Sequence, residues 1–419
     1  MLAPLLLLAC SRGDVLLVDP EGVETPPNEL TVRLVLDPEL GLTPADFGWD
    51  DGVPDAEVTL IRVRDVEPIV FQNGATDDLG MSRFDGLQRG VHWIAAERTL
   101  SESEAAALGP EWPVAMLTGA TKARAEPGAE VEILLRPPSP GGLVISEVAQ
   151  QTPLVYGGTP HRAAYLEIYN NGPGTQFLDG MLLSKVYRTY RDYSASRGNR
   201  PCWQTEPMRV DPEGLWTDRV LRFPGIGTDH PVAPGQAVVV AVSATDHRDV
   251  DPTMHDLTEA DFEVRPVNLA LADNPAAPDL EDVGPEPFVH NLFFSNHGQW
   301  SLAEPTALAS LPHIPDPADI KEVPWEFLRL PTDLIVDVTH IWWDNAYGVG
   351  LLTPNSICLH PTNPSFDALP GGFADGFQIP NSAQRRVVTA RDGRRVLLDT
   401  NASATDFRMR PTTPGSIEP

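Results

Sequence analysis

Proline and glycine divide this chain into short apolar runs, and this division limits the folds that it can adopt. The 419 residues include 43 prolines and 33 glycines. Such frequent proline and glycine suit many short strands joined by turns and long loops. Several runs alternate apolar and polar residues, as in Thr31–Leu36 and Ala56–Val63, which is the period of a half-buried strand. The sequence therefore predicts an all-β protein.

The charge of the chain narrows the classes of partner. Acidic residues number 59 against 30 basic ones, which gives a formal net charge of −29. Such a charge repels phosphate backbones, so we expect no nucleic-acid partner. It also disfavours electrostatic docking on anionic lipid and is compatible with cationic partners or calcium.

An apolar run at the N-terminus ends at a cysteine, in the order Leu7-Leu8-Ala9-Cys10. A membrane-spanning helix needs ~20 apolar residues, so this run is too short to cross a bilayer. It resembles the signal of bacterial lipoproteins, which are cleaved before a cysteine that then carries acyl chains. The resemblance implies a signal and lipidated Cys10 over residues 1–10 and a tether over 11–28. It also implies a partner membrane, reached through the lipid anchor, and an outer-membrane location on its periplasmic or outer face.

Residues 29–137 contain the motifs of a small sandwich domain. These are a strand at Asp55–Leu60, a turn at Thr76–Gly80, the segment Phe84–Gly90 and the aromatic Trp93. Their order resembles the carboxypeptidase regulatory-like domain, which has a prealbumin-type β-sandwich fold. In that family the domain has no catalytic chemistry and serves as a spacer. A capping box at Ser101–Glu104 predicts one short helix.

Residues 138–142 form a linker, and a second domain is expected over 143–419. Four segments carry the pattern of this domain: Ile145–Val148, Glu167–Asn170, Leu178–Ser184 and Pro234–Val240. Together they resemble the lamin-tail domain, an Ig-like β-sandwich. Compared with that family, residues 186–230 and 243–332 are long loop insertions, where specific function is expected. The combination of the two domains with a lipoprotein signal resembles a bacterial family of uncharacterised function.

The cysteines that remain after Cys10 are Cys202 and Cys358. In an exported protein such a pair can form a disulfide. Two separate buried thiols are equally compatible with the sequence, because the spacing does not determine the distance between them.

Histidines and aspartates are interspersed through residues 229–340. Imidazole and carboxylate groups bind zinc and other divalent ions, and the candidate ligands are His247, His255 and His290. Their spacing matches no known ligand motif, so solvated or core-lining polar residues are the alternative. Within this region Thr258–Phe262 is predicted to form a short capped helix.

Two aromatic clusters are candidate binding residues for a partner protein or a glycan. They comprise Tyr187, Tyr190 and Trp203 in the first cluster and Trp342 and Trp343 in the second. Tyrosine and tryptophan dominate binding hot spots, although the same residues also fill ordinary cores.

The sequence contains no P-loop, Gly-x-Ser-x-Gly, His-Glu-x-x-His or Cys-x-x-Cys motif, so no catalytic residue and no cofactor is assigned. The expected function is a lipid-anchored binding or structural module of the cell envelope. It would act through inserted loops of the C-terminal domain, on an envelope protein or a glycan. The alternative is a metal-assisted hydrolase that uses the His/Asp-rich residues 229–340.

Overall fold

The structure is a computed structural model of mostly β-strands. It describes residues 28–62, 70–87, 90–139, 141–149, 163–187, 214–249, 252, 254–265, 273–284, 297–308, 328–343, 371–373 and 381–417. Strands and turns dominate these ranges, which confirms the all-β prediction. No helix in these ranges has the length and apolar character required to cross a bilayer.

The N-terminal sandwich consists of seven strands in two sheets. They are β1 (Asn28–Leu36), β2 (Glu57–Arg62), β3 (Val70–Ala75), β4 (Met81–Leu87), β5 (Gly90–Thr99), β6 (Met116–Ala125) and β7 (Ala129–Leu135). One sheet has the order β4-β1-β7 and the other has the order β3-β2-β5-β6. Strands β1 and β7 are parallel, whereas the other paired neighbours in these sheets are antiparallel.

Alternation along the strands produces the core of this sandwich. Leu30, Val32 and Leu34 of β1 are fully buried and pack against residues of the facing sheet, among them Leu60 and Ile94. Ser101 is the N-cap of the helix α1 (Glu102–Ala107), and its side chain accepts a hydrogen bond from the Glu104 backbone. The predicted capping box is therefore confirmed.

The C-terminal sandwich contains the remaining strands. The first of them are β8 (Leu143–Ala149), β9 (Tyr165–Asn170), β10 (Gln176–Phe177), β11 (Leu182–Tyr187), β12 (Gly214–Arg222), β13 (Pro231–Val232), β14 (Ala237–Ala241), β15 (Phe262–Glu263) and β16 (Glu281–Asp282). The later ones are β17 (His297–Ala303), β18 (Leu328–Pro331), β19 (Ile335–Trp343), β20 (Gly371–Phe373), β21 (Asn381–Arg385), β22 (Val387–Thr389), β23 (Arg395–Leu397) and β24 (Phe407–Pro411). A single helical turn, α2 (Ser403–Asp406), precedes β24.

Two large sheets enclose the core of the C-terminal sandwich. The six-stranded sheet has the order β15-β14-β9-β8-β21-β24. The seven-stranded sheet has the order β16-β12-β11-β17-β19-β20, and β18 also pairs with β12. Alternate residues of the six-stranded sheet, such as Ile145 and Ile168, face Leu183, Trp300 and the other core residues of the seven-stranded sheet. The opposite side of the six-stranded sheet is its outer face.

The described residues between 243 and 282 belong to the predicted insertion 243–332 and form mainly turns and short strands; they are called the insertion below. The predicted helix at Thr258–Phe262 is wrong, because the chain turns at residues 258–259 and Phe262 begins β15, parallel to β14. The Asp256 carboxylate accepts hydrogen bonds from the backbone and the hydroxyl of Thr258, which stabilises the turn. Phe262 then packs edge-on against Phe223 in the core, with ring centroids 5.1 Å apart.

The two sandwiches pack side against side through the segment 386–406. The Arg386 guanidinium makes two hydrogen bonds with Glu97 of β5, at 2.5 and 3.1 Å. Ala402 packs with Trp93 and Ala95 of the N-terminal sandwich. The backbone of the turn between β22 and β23 also contacts the N-terminal sandwich, since Arg391 N donates to Pro113 O at 2.7 Å. Apolar, ionic and backbone contacts therefore join the domains into one body.

Candidate functional site

The outer face of the six-stranded sheet holds an unusual set of buried polar residues. Because successive side chains of a strand point to opposite faces, Tyr165 and Glu167 of β9 lie on the outer face while Leu166 enters the core. The insertion, near Ala244 and Leu257, covers part of this face. Residues 412–417, which follow β24, cover another part, and we call this segment the strap.

A bulge in β8 places two glutamates side by side. The register shifts between Ile145 and Glu147, so that Ser146 is the extra residue and Glu147 lies directly opposite Glu167 of β9. Glu147 is 2% exposed and Glu167 is fully buried. Without the bulge, the alternation from Ile145 would place residue 147 on the core face. The bulge therefore creates a buried pair of carboxyl groups.

Glu147 accepts most of the hydrogen bonds that this pair receives. Its Oε1 atom accepts from the Tyr165 hydroxyl and the Ser382 hydroxyl, and more weakly from the Thr413 backbone at 3.3 Å. Burial raises the pKa of Glu147, and the bonds from Ser382 and Tyr165 oppose that shift without cancelling it. Several donors on one oxygen favour its charged form, so Glu147 is the better placed of the two to be ionised.

Glu167 has fewer donors and the larger shift. The Ser146 hydroxyl donates to its Oε1 at 2.8 Å, and the Gly415 backbone donates to its Oε2 at 2.9 Å. Burial, followed by the charge of Glu147, raises the pKa of Glu167 to about 8. Burial and the same carboxylates also raise the pKa of Tyr165 well above its ordinary value. At neutral pH the pair therefore retains a proton, and Glu167 is the residue that carries it.

Two of the predicted metal ligands, His247 and His255, lie side by side where the chain folds back on itself in the insertion. The His247 backbone donates to His255 O at 3.0 Å. The Nε2 atom of His247 is 2.9 Å from Ser243 O, a carbonyl that can only accept, so the imidazole N–H is the hydrogen-bond donor. Nδ1 of His255 is 3.3 Å from the Thr412 hydroxyl of the strap. Burial and the neighbouring His247 lower the pKa of His255. The third predicted ligand, His290, lies outside the described residues.

Three carboxylates in the insertion form the one group in the described ranges with metal-like spacing. Oxygen atoms of Glu263, Asp273 and Asp279 lie within 4.8 Å of one another. The Arg265 guanidinium contacts all three, with nitrogen–oxygen distances of 3.5 Å to Glu263, 3.0 Å to Asp273 and 2.9 Å to Asp279. A protein cation thus compensates these acids. Sequence reasoning missed the group, although the acidic composition of the insertion was visible.

The other predicted residues are placed only in part. Tyr187 ends β11, and Trp342 and Trp343 end β19, where the structure describes the backbone alone. The structure describes none of the remaining predicted residues, which are the lipidation site Cys10, the pair Cys202 and Cys358, and the aromatics Tyr190 and Trp203.

A loop at residues 224–230 presents an apolar side chain to solvent. Ile226 is 93% exposed, and Phe177 of β10, whose register partner is Pro231 just after the loop, is 39% exposed. The Asp179 carboxylate accepts backbone hydrogen bonds from Gly227, Asp229 and His230 at 3.0, 2.7 and 2.9 Å. Burial raises the pKa of Asp179, but the backbone donors outweigh this effect, and the net pKa is lowered. An ionised carboxylate therefore fixes the loop that carries Ile226.

Comparisons with known proteins give structural similarity at low identity. A DUF4876 family protein from Bacteroides thetaiotaomicron is 16% identical, with a TM-score of 0.45, over 91% of this chain and 95% of that chain. A DUF3823 family protein from Parabacteroides merdae is 10% identical, with a TM-score of 0.17, over 52% of this chain and 83% of that chain. Another from Bacteroides uniformis is 8% identical, with a TM-score of 0.18, over 73% and 98%.

These families are uncharacterised. No family model and no curated protein matches the chain.

Proposed function

We propose that this protein is a binding module of the cell envelope, anchored by acyl chains on Cys10, without catalytic activity. It contacts an envelope protein or a glycan through loops of the C-terminal sandwich. The observation that supports this proposal best is the exposed Ile226 on a loop whose backbone Asp179 fixes. A fixed apolar contact loses little conformational entropy on binding, which favours recognition.

The contacts of the polar residues also support a binding module. Arg265 compensates the three insertion carboxylates, and the strap and its neighbours occupy the oxygen atoms of Glu147 and Glu167. In addition, His247 uses Nε2 to donate to a backbone carbonyl. These groups are engaged in structural contacts within the protein.

Binding is tested with the purified Cys10→Ala protein, in which the proposed lipid anchor cannot contribute, and isolated outer-membrane sheets from the producing organism. We expect saturable binding that Ile226→Asp weakens by roughly tenfold, since a buried apolar contact of this size contributes about 1.5–3 kcal/mol. The matched control is Leu79→Asp, which alters an apolar side chain that is 51% exposed in the N-terminal sandwich.

Equal weakening by Ile226→Asp and Leu79→Asp, or unchanged binding in both variants, would contradict the proposed role of the loop. Stoichiometric zinc that is lost from a His247→Ala/His255→Ala variant would instead support the metal-assisted hydrolase.

Anchoring is tested separately by Cys10→Ala. We expect the wild-type protein in the membrane pellet and the variant in the soluble fraction, because two or more acyl chains on Cys10 would be required for stable attachment. Mass spectrometry of the N-terminal peptide provides the direct measurement. A variant that still sediments with membranes would show that attachment does not depend on Cys10.

A further inference from the structure

The strap is attached to the outer face of the sheet by hydrogen bonds to buried carboxyl groups. The Thr413 backbone donates to Glu147 at 3.3 Å and the Thr413 hydroxyl donates to the same residue at 3.4 Å. The Gly415 backbone donates to Glu167 at 2.9 Å. The two glutamates that the bulge pairs therefore hold successive parts of the same segment.

Neutral contacts complete the attachment of the strap. Gln384 Nε2 donates to Pro411 O at 2.7 Å and to the Thr413 hydroxyl at 3.2 Å. Further along, Ile417 packs against the apolar cluster that contains Val144, Tyr169 and Leu397. The strap has no regular secondary structure, and short irregular segments open locally at low free-energy cost.

We propose that residues 412–417 are a proton-dependent strap. The Glu147–Glu167 pair holds this segment closed over the outer face while the pair retains a proton, and loosens it when the proton is lost. Two adjacent buried carboxylates repel each other, and opening the strap admits water to both. Opening also exposes Tyr165 and the two glutamates as a hydrogen-bonding surface distinct from the Ile226 loop.

The titratable groups around the pair determine the sign of the effect. Burial raises the pKa of Glu167 to about 8, whereas an open strap would expose it to water and return its pKa towards 4.5. Closure is therefore strongest below the open-state pKa and weakens as the pH rises to about 8. Above that pH Glu167 is ionised in both the closed and the open state, so the free energy of strap closure no longer changes with pH.

The other ionisable neighbours reinforce this assignment or are inert. Asp261, which follows the turn of the insertion, adds negative charge near Glu167. Tyr165 stays neutral because its pKa is raised well above the ordinary value. His255, which faces Thr412, has a lowered pKa and is neutral over most of the range. On the side of β21 the pair faces the uncharged Ser382 and Gln384, and Arg408 of β24 lies one strand further away.

Amide hydrogen exchange of the intact protein between pH 5.5 and 9 tests the proposal. After correction for intrinsic exchange rates, we expect the protection of peptide 411–417 to fall about tenfold per pH unit up to pH ~8 and then to level off. Glu167→Gln keeps an acceptor for Gly415 but cannot titrate. In this variant the tenfold fall in strap protection per pH unit, which corresponds to the loss of one proton, should disappear.

The loop at 224–230 is the internal control. Asp179 holds its amides with a carboxylate whose pKa is lowered, so the protection of that loop should not change over this range. Strap protection that is independent of pH in the wild type would overturn the proposal, as would an unchanged slope in Glu167→Gln. If that variant fails to fold, the wild-type profile decides alone, since a decline that levels off near pH 8 is required.

Discussion

At the scale of single residues, Arg385 is the ionic centre of the C-terminal sandwich. This residue of β21 crosses the core to contact Asp337 of β19 at 2.7 Å, and it also contacts Asp399 at 3.2 Å and Asp406 at 3.1 Å. The guanidinium further lies over the ring of Phe407, 4.9 Å from its centroid. Its five donors join the two sheets. Burial raises the pKa of Asp337 and Asp406; the charge of Arg385 opposes this rise and the charge of Asp399 adds to it.

Replacing Arg385 should strongly destabilise the protein. Arg385→Met leaves three buried carboxyl groups without their cation, so we expect a loss of about 3–5 kcal/mol in the free energy of unfolding. Urea denaturation at pH 8 measures the loss. The control is Arg394→Met, which removes a solvent-exposed pair with Asp392 and should leave the free energy of unfolding nearly unchanged. Similar losses in the two variants would refute a central role for Arg385.

Sequence reasoning could not identify these residues as sites. Glu147 and Glu167 were visible as members of strand motifs, but their pairing depends on the bulge at Ser146, which sets the register between two strands. Local sequence rarely specifies a bulge. Likewise, Arg385 meets Asp337, which is 48 positions away, through the packing of two sheets. The proximity of His247 and His255 also depends on how the intervening turn folds.

At the scale of elements, the alternation of polar and apolar residues predicted strands of the N-terminal sandwich. The runs Thr31–Leu36 and Glu130–Leu135 begin by alternating polar and apolar residues, and the structure pairs them as β1 and β7. The turn between β3 and β4 requires Gly80, whose φ is +75° and which approaches the main chain of Leu34 and Val53. By contrast, the predicted helix at Thr258–Phe262 failed because burial of Phe262 in the core overrode a local capping signal.

Gly80→Ala should therefore destabilise more than a glycine change at an open turn. A Cβ at residue 80 would lie 2.6 Å from Val53 N and 2.7 Å from Leu34 O, whereas one at Gly86, with φ +67°, meets nothing within 4 Å. Both changes incur left-handed strain of about 1–2 kcal/mol. We expect Gly80→Ala to cost roughly 2 kcal/mol more than Gly86→Ala, because backbone atoms must move. Thermal denaturation compares them, and equal midpoints would contradict this explanation.

At the scale of the whole molecule, the contact between the sandwiches was not predictable from the sequence. The strand motifs of each sandwich say nothing about a shared interface. The interface depends on small residues such as Ala402 and Ala390, which are buried beside Trp93 and Val114 of the other sandwich. Small apolar residues in loops have no distinctive sequence signature.

Ala402→Glu should separate the sandwiches without unfolding either core. The substitution places a charge beside Trp93 and Ala95, at a cost of several kcal/mol if the interface stays closed. We expect a larger radius of gyration in small-angle X-ray scattering and two thermal transitions in calorimetry. Thr389→Glu, at an exposed position of β22, is the control and should retain the wild-type scattering profile. Unchanged scattering for Ala402→Glu would show that packing at Ala402 is not needed to hold the two sandwiches together.

The way in which Asp179 holds the loop at 224–230 has an evolutionary consequence. The carboxylate binds main-chain amides, which every residue except proline possesses, so the loop conformation makes little demand on the side chains at Ile226 and Thr228. Mutation can therefore change the chemistry of the tip while the scaffold stays intact. The residues at the tip could vary without loss of the loop conformation, and a short foreign epitope could be displayed there.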